Sequence, residues 1–119
     1  MRRKIALVTG GVGGIGTAVC KCLAEAGHRV VANYAVPGTE IHFLEQIRAA
    51  GFHDALVALG DVADYHAMGE MVYNITSDIG PVDILVNCAG ITRDGLFRKM
   101  SKEDWDAVIN VNLSGAFNL

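Results

Sequence analysis

The stretch Thr9-Gly10-Gly11-Val12-Gly13-Gly14-Ile15-Gly16 holds the densest chemistry in the chain. Glycine has no Cβ, so a run of it lets the backbone turn sharply and lie close against a ligand. Lys4-Ile5-Ala6-Leu7-Val8 before it is an apolar run of strand length, and residues 15–26 after it read as a helix. A helix N-terminus adds unpaired N–H groups and the positive end of the peptide dipoles. The combination is suited to a pyrophosphate. Two patterns overlap in it: Gly11-Val12-Gly13-Gly14-Ile15-Gly16 fits G-x-G-x-x-G, and Thr9-Gly10 with Gly14-Ile15-Gly16 fits T-G-x-x-x-G-I-G. The strand before and helix after are the context such a fingerprint requires, and no Gly-Lys-Ser/Thr follows that would make it a P-loop. The plainer alternative is a tight turn, but five glycines in the seven positions 10–16 exceed what a turn needs.

Three further points bear on a dinucleotide. The second candidate strand ends Val31-Ala32-Asn33-Tyr34, followed by Ala35, with no acid. An acid about 20 residues past the glycines usually holds the ribose 2′-hydroxyl. Its absence leaves room for a 2′-phosphate and favours NADP(H). No Arg or Lys lies between Arg29 and Arg48 to bind that phosphate, so the donors would be Gly38 and Thr39, with Glu40 opposing. After the third strand comes Gly60-Asp61-Val62, where a carboxylate can accept from an adenine amino group or simply cap the next helix. After the fourth comes Asn87-Cys88-Ala89-Gly90-Ile91-Thr92, whose small residues let backbone lie against a sugar or nicotinamide. Cys88 lacks any neighbour in sequence that would lower its pKa, which argues against a nucleophile.

These residues need a scaffold that brings strand ends together. Apolar runs at 5–9, 29–33, 55–59 and 84–87 alternate with helical patterns at 15–26, 39–50, 64–79 and 101–119. Continuous apolar runs are expected of strands covered on both faces, and the alternation implies βαβ units in a parallel sheet. Gly27, Gly51 and Gly80 fit left-handed helix ends. Ser101 with Asp104 has the spacing of a capping box. Met68, Met71, Val72, Ile75 and Ile79 recur at helical spacing and read as core. Open α/β sheets bind ligands outside the carboxyl ends of their strands, where the three motifs fall.

Composition narrows the partners. The 119 residues are 51% hydrophobic with a net charge of -3, enough for a core and unlike a nucleic-acid surface. Arg2-Arg3-Lys4 reads as a solvated lead-in to the first strand. No apolar stretch reaches the ~18 residues of a membrane span, and no signal peptide follows the first charges. Three cysteines, with Cys20-x-Cys22 too tight for a usual zinc or redox pair, point to a reducing cytoplasm and to no metal.

The chain resembles the N-terminal half of the short-chain dehydrogenase/reductase family. The resemblance rests on Thr9-Gly10-x-x-x-Gly14-Ile15-Gly16, Asp61-Val62, Asn87-x-Ala89-Gly90 and Val111-Asn112-Leu113, in that order. Within the family, Ile91-Thr92-Arg93-Asp94, Phe97-Arg98-Lys99-Met100 and Trp105-Asp106-Ala107-Val108-Ile109 are most similar to β-ketoacyl reductases. These are the acetoacetyl-CoA reductases of polyhydroxybutyrate synthesis and, close to them, the 3-oxoacyl-(acyl-carrier-protein) reductases. Cys88 stands where the family often has a second Asn.

The resemblance implies a Rossmann-type doubly wound α/β fold, here one NADP(H)-binding domain over 1–119 with strand order 3-2-1-4. It implies cofactor contacts from Gly10, Val12, Gly13, Gly14, Ile15, Gly16, Tyr34, Ala35, Gly60, Asp61, Val62, Asn87, Cys88, Ala89, Gly90, Ile91 and Thr92. Asn112 falls within an apolar stripe of Trp105, Val108, Ile109, Leu113, Ala116 and Phe117. It reads either as a satisfied core amide or, as the resemblance implies, as a catalytic residue that bends its helix and holds a water of the proton relay. Asp94 is implied to touch an acyl-CoA thioester substrate. The complete protein is expected to be a cytoplasmic homotetramer. The family's Ser and its Tyr-x-x-x-Lys are not found: Tyr34, Tyr65 and Tyr73 are followed four residues on by Gly38, Gly69 and Ser77. The chain therefore reads as a cofactor half that is marginally folded and inert alone. A non-catalytic nucleotide-binding or sensor protein on the same fold remains the alternative of another class.

Overall fold

The computed structural model describes residues 3–119; of the basic lead-in, Arg2 lies outside them. The described elements begin with β1 (Ile5–Thr9), α1 (Gly14–Glu25), β2 (Arg29–Tyr34) and α2 (Thr39–Ala49). They continue with β3 (Leu56–Leu59), α3 (Tyr65–Asp78) and β4 (Ile84–Asn87). The four strands form one parallel sheet in the order β3-β2-β1-β4, as expected. Leu7 of β1 sits beside Val31 of β2 and Leu85 of β4.

Alternation along the strands sorts the core into two layers. Ile5, Leu7 and Val31 face α3 and pack with Met68, Met71 and Ile75. Val8, Val30 and Ala32 face α1 and α2 and pack with Cys20, Phe43 and Ile47. All five residues of β1 are buried, which is why it reads as an unbroken apolar run. Phe43 and Ile47, one turn apart on α2, are fully buried. Truncating either to Ala removes about 2–5 kcal/mol.

The helices end where glycine permits it: Gly27 and Gly51 have φ of +91° and +96°. At the start of α3 the cap is Asp64, whose Oδ1 accepts from the Ala67 N–H at 3.0 Å. Ser101 likewise caps the helix after it, its Oγ accepting from the Asp104 N–H at 3.1 Å.

The last segment departs from the sequence reading. In place of one helix over 101–119 there are α4 (Lys102–Val108), a π-helical stretch (Ile109–Ser114) and α5 (Gly115–Asn118). A single widened turn shifts the apolar pattern by one residue, which the 3.6-residue period cannot reveal. The wide turn falls where the Asn112 side chain is engaged by another loop.

A dinucleotide-shaped crevice at the strand ends

The glycine turn joins β1 to α1 through backbone approaches closed to other residues. Gly10 has φ +60°, and a Cβ on it would lie 2.8 Å from the Ala89 Cα. A Cβ on Gly16 would lie 2.3 Å from the Gly10 carbonyl oxygen and 2.7 Å from the Gly11 Cα. Gly10 thus lets the loop after β4 close on the turn, and Gly16 lets α1 pack on it. Gly14 is different: a Cβ there meets nothing within 4 Å. That glycine faces open space in the crevice. α1 begins at Gly14 with no side chain capping it. Among the described residues no side chain caps its start, and the leading N–H groups of a helix have no partner within it. This is a cradle for an anion, and the residues present fit the diphosphate of a dinucleotide.

Three polar side chains lock the turn to its neighbours. Asn33, 2% exposed at the end of β2, accepts from the Gly10 N–H at 3.3 Å. Its Nδ2 donates to the Gly60 and Ala58 carbonyls at 3.0 and 3.2 Å. One amide thereby holds the ends of β1, β2 and β3 together. Thr9 Oγ1 accepts from the Ala89 N–H at 3.3 Å, and Thr17 Oγ1 donates to the Gly11 carbonyl at 3.2 Å. In the sequence Asn33 stands out only as a non-acid at the end of β2. A polar residue beside the buried Val30, Val31 and Ala32 is the local mark of this role.

Two adjoining recesses make up the crevice. One of about 600 Å³ is lined by the glycine turn with Tyr34, Ala35, Thr39, Cys88, Ala89 and Gly90. The other, of about 320 Å³, is lined by Gly60, Asp61, Val62, Ile91 and Val111 with Asn33. They share Gly10, Ala35, Ala89 and Gly90. The expected cofactor residues from Gly10 to Gly16, Tyr34, Ala35, 60–62 and 88–91 thus surround one space. Asn87 and Thr92 do not line it, and Asp94 lies on the exposed loop beyond.

Asp61 is not the cap of α3, since Asp64 fills that role. Its Oδ1 accepts from the Ala63 N–H at 2.9 Å, and the residue remains exposed on the recess wall. The 2′-phosphate donors read from the sequence are corrected. The Gly38 N–H donates to Glu40 Oε2 at 2.7 Å, and the Thr39 N–H and Oγ1 both donate to the Val36 carbonyl. The Glu40 carboxylate, two residues away, occupies that amide.

Asn112 is also placed otherwise than as a buried core amide. It is exposed, yet both halves of its amide are taken: Oδ1 accepts from the Ile91 N–H at 2.9 Å, and Nδ2 donates to the Ile91 carbonyl at 3.0 Å. Its Oδ1 lies 3.3 Å from where a Cβ on Gly90 would stand. The apolar residues expected to share its stripe are largely uncovered, with Leu113 at 65% and Phe117 at 81% exposure. Cys20, fully buried, is held far from reactivity: burial, and to a lesser degree Cys88, pushes its thiol up to about 12.

The family model for short chain dehydrogenases matches residues 4–119. Nodulation protein G of Azospirillum brasilense is 54% identical over 100% of this chain and 48% of its own length. An acetoacetyl-CoA reductase of Allochromatium vinosum is 50% identical over 98% of this chain and 48% of its own. A 3-oxoacyl-(acyl-carrier-protein) reductase of Staphylococcus aureus is 42% identical over 97% of this chain and 47% of its own. The chain thus spans about half the length of these curated relatives. Among solved structures, an actinorhodin polyketide ketoreductase variant with NADPH superposes with a TM-score of 0.91 at 32% identity, covering 98% of this chain and 44% of its own.

Proposed function

The chain belongs to the short-chain dehydrogenase family, and on that premise we propose that it is the cofactor-binding part of an NADPH-dependent reductase of acetoacetyl-CoA. The product is 3-hydroxybutyryl-CoA, the precursor for polyhydroxybutyrate. The observation that carries the reading is the uncapped start of α1 over Gly14, in a segment half identical to a curated acetoacetyl-CoA reductase.

A bound nicotinamide dinucleotide supplies a hydride to the ketone carbon. The first-turn N–H groups of α1 hold its diphosphate, with Gly14 leaving the room. Asp61 accepts from the adenine amino group. Ala89 and Gly90 offer backbone to the nicotinamide ribose. Asn112 fixes Ile91 by both backbone groups, and its segment would hold a water for proton delivery. In the assignment to NADPH, the missing acid after β2 weighs for a 2′-phosphate and the Glu40 carboxylate weighs against it.

A carrier-protein thioester is the second reading, supported by the 42% identical relative of that activity. Comparing rates of NADPH oxidation by the full-length protein on acetoacetyl-CoA and acetoacetyl-carrier protein separates the two. The expected result is faster turnover of the CoA thioester. Reading the codons after Leu119 tests the enzyme reading itself. A Tyr-x-x-x-Lys within a few dozen residues is expected, and its absence would favour a nucleotide sensor.

A further inference from the structure

We propose that Asn118 and Gly115 of α5 are positioning residues for the loop between β3 and α3, and that they set the affinity of the crevice for the ADP half of a dinucleotide. The inference rests on the dinucleotide reading above. Asn118 Nδ2 donates to the Val62 carbonyl at 2.8 Å, a contact between residues 56 apart in the chain. One turn earlier, a Cβ on Gly115 would lie 2.7 Å from Val62 Cγ2 and 3.2 Å from its Cβ. Residues three apart share a helix face. On that face the helix backbone lies directly on the Val62 side chain, while the amide holds the same residue's carbonyl. Val62 is 5% exposed as a result.

The loop held this way carries Asp61, which with Gly60 and Val62 walls the 320 Å³ recess. Asn33 fixes the loop at Gly60, and Asn118 fixes it at Val62. Asp61 stands between the two anchors. Asn118 does not line either recess and acts only through Val62. The same C-terminal segment fixes the opposite lip, since Asn112 holds Ile91 by both backbone groups. Val111, beside Asn112, lines the recess between these two lips. One segment thus sets the width of the recess from both sides. Losing the Asn118 bond frees the adenine lip and leaves the other in place.

The test is calorimetric titration of the full-length protein with ADP-ribose, alongside thermal unfolding. Asn118→Leu removes the donor, and Asn118→Asp keeps the size while turning an oxygen toward the Val62 carbonyl. Each is expected to weaken ADP-ribose about threefold to tenfold, the range of one hydrogen bond. The KM for the dinucleotide should rise with it while kcat holds, and Gly115→Ala should give the same split by displacing Val62. If Asn118→Leu does not fold, Asn118→Asp and Gly115→Ala carry the test. A role in stability alone would lower the unfolding temperature and leave ADP-ribose affinity intact, which would overturn the inference and leave the dinucleotide reading standing. Failure of the unsubstituted protein to bind ADP-ribose would overturn both.

Discussion

Asn33 serves three strands with one amide, so its removal leaves the half-buried Gly10 N–H without its partner and frees two carbonyls at once. Asn33→Leu is expected to cost about 1–3 kcal/mol in urea unfolding and to loosen the glycine turn. At Cys20 the consequence is a pH dependence. Its folded pKa, raised to about 12, exceeds the roughly 8.5 of an unfolded thiol. The folded state holds the proton more tightly. The thiol's stabilising contribution is therefore complete below about 8.5 and is lost as pH rises toward 12. Denaturation followed between pH 8 and 11 should show a decline that Cys20→Ala lessens. Alkylation should label exposed Cys22 well before buried Cys20. Glu40 gives the third residue-scale outcome. Glu40→Gln keeps an acceptor for the Gly38 N–H and removes the charge, so NADPH should bind roughly fivefold tighter with NADH little changed. An equal effect on both cofactors would remove Glu40 from the 2′-phosphate side.

At the scale of elements, the turn from β1 into α1 is the most constrained part of the fold. Gly16→Ala places a Cβ 2.3 Å from the Gly10 carbonyl oxygen, so α1 must move off the turn. Dinucleotide binding should fall at least tenfold, whereas Gly14→Ala meets open space and should fold normally. Ser101→Ala at the start of α4 should cost about 1 kcal/mol. Much of this level was legible in the residues. Continuous apolar runs gave β1 and β4 their places, and Gly27 and Gly51 marked the ends of α1 and α2. The glycine pattern located the crevice because close backbone approach demands that residue type. The last segment was not legible. Its apolar spacing fits a plain helix, and the wide turn at Ile109–Ser114 coincides with a contact of Asn112 with Ile91, 21 residues away. Likewise Asn33 and Asn118 act through partners distant in the chain; a polar residue in an apolar strand marks Asn33, but no local pattern names its partners or announces Asn118. The Gly38 donor was misplaced because a side chain within the same turn reached it first.

Among the described residues the sheet has four strands and is open at both edges, with β4 paired only to β1. On the last helical segment, Trp105 at 51%, Leu113 at 65% and Phe117 at 81% exposure leave apolar surface uncovered. Open edges and apolar patches together favour association. The 119-residue chain expressed alone should bind a hydrophobic dye and self-associate on sedimentation, and should show no turnover. A monodisperse chain that excludes the dye would contradict this. Four strand ends, one uncapped helix and the amides of Asn33 and Asn112 thus converge on a single crevice. The decisive measurement is NADPH oxidation by the full-length protein with acetoacetyl-CoA, run beside its Gly16→Ala variant. The expected result is steady turnover that the variant largely loses, with product released as 3-hydroxybutyryl-CoA. A folded full-length protein that binds no nicotinamide dinucleotide, or whose turnover is indifferent to Gly16→Ala, would contradict the account.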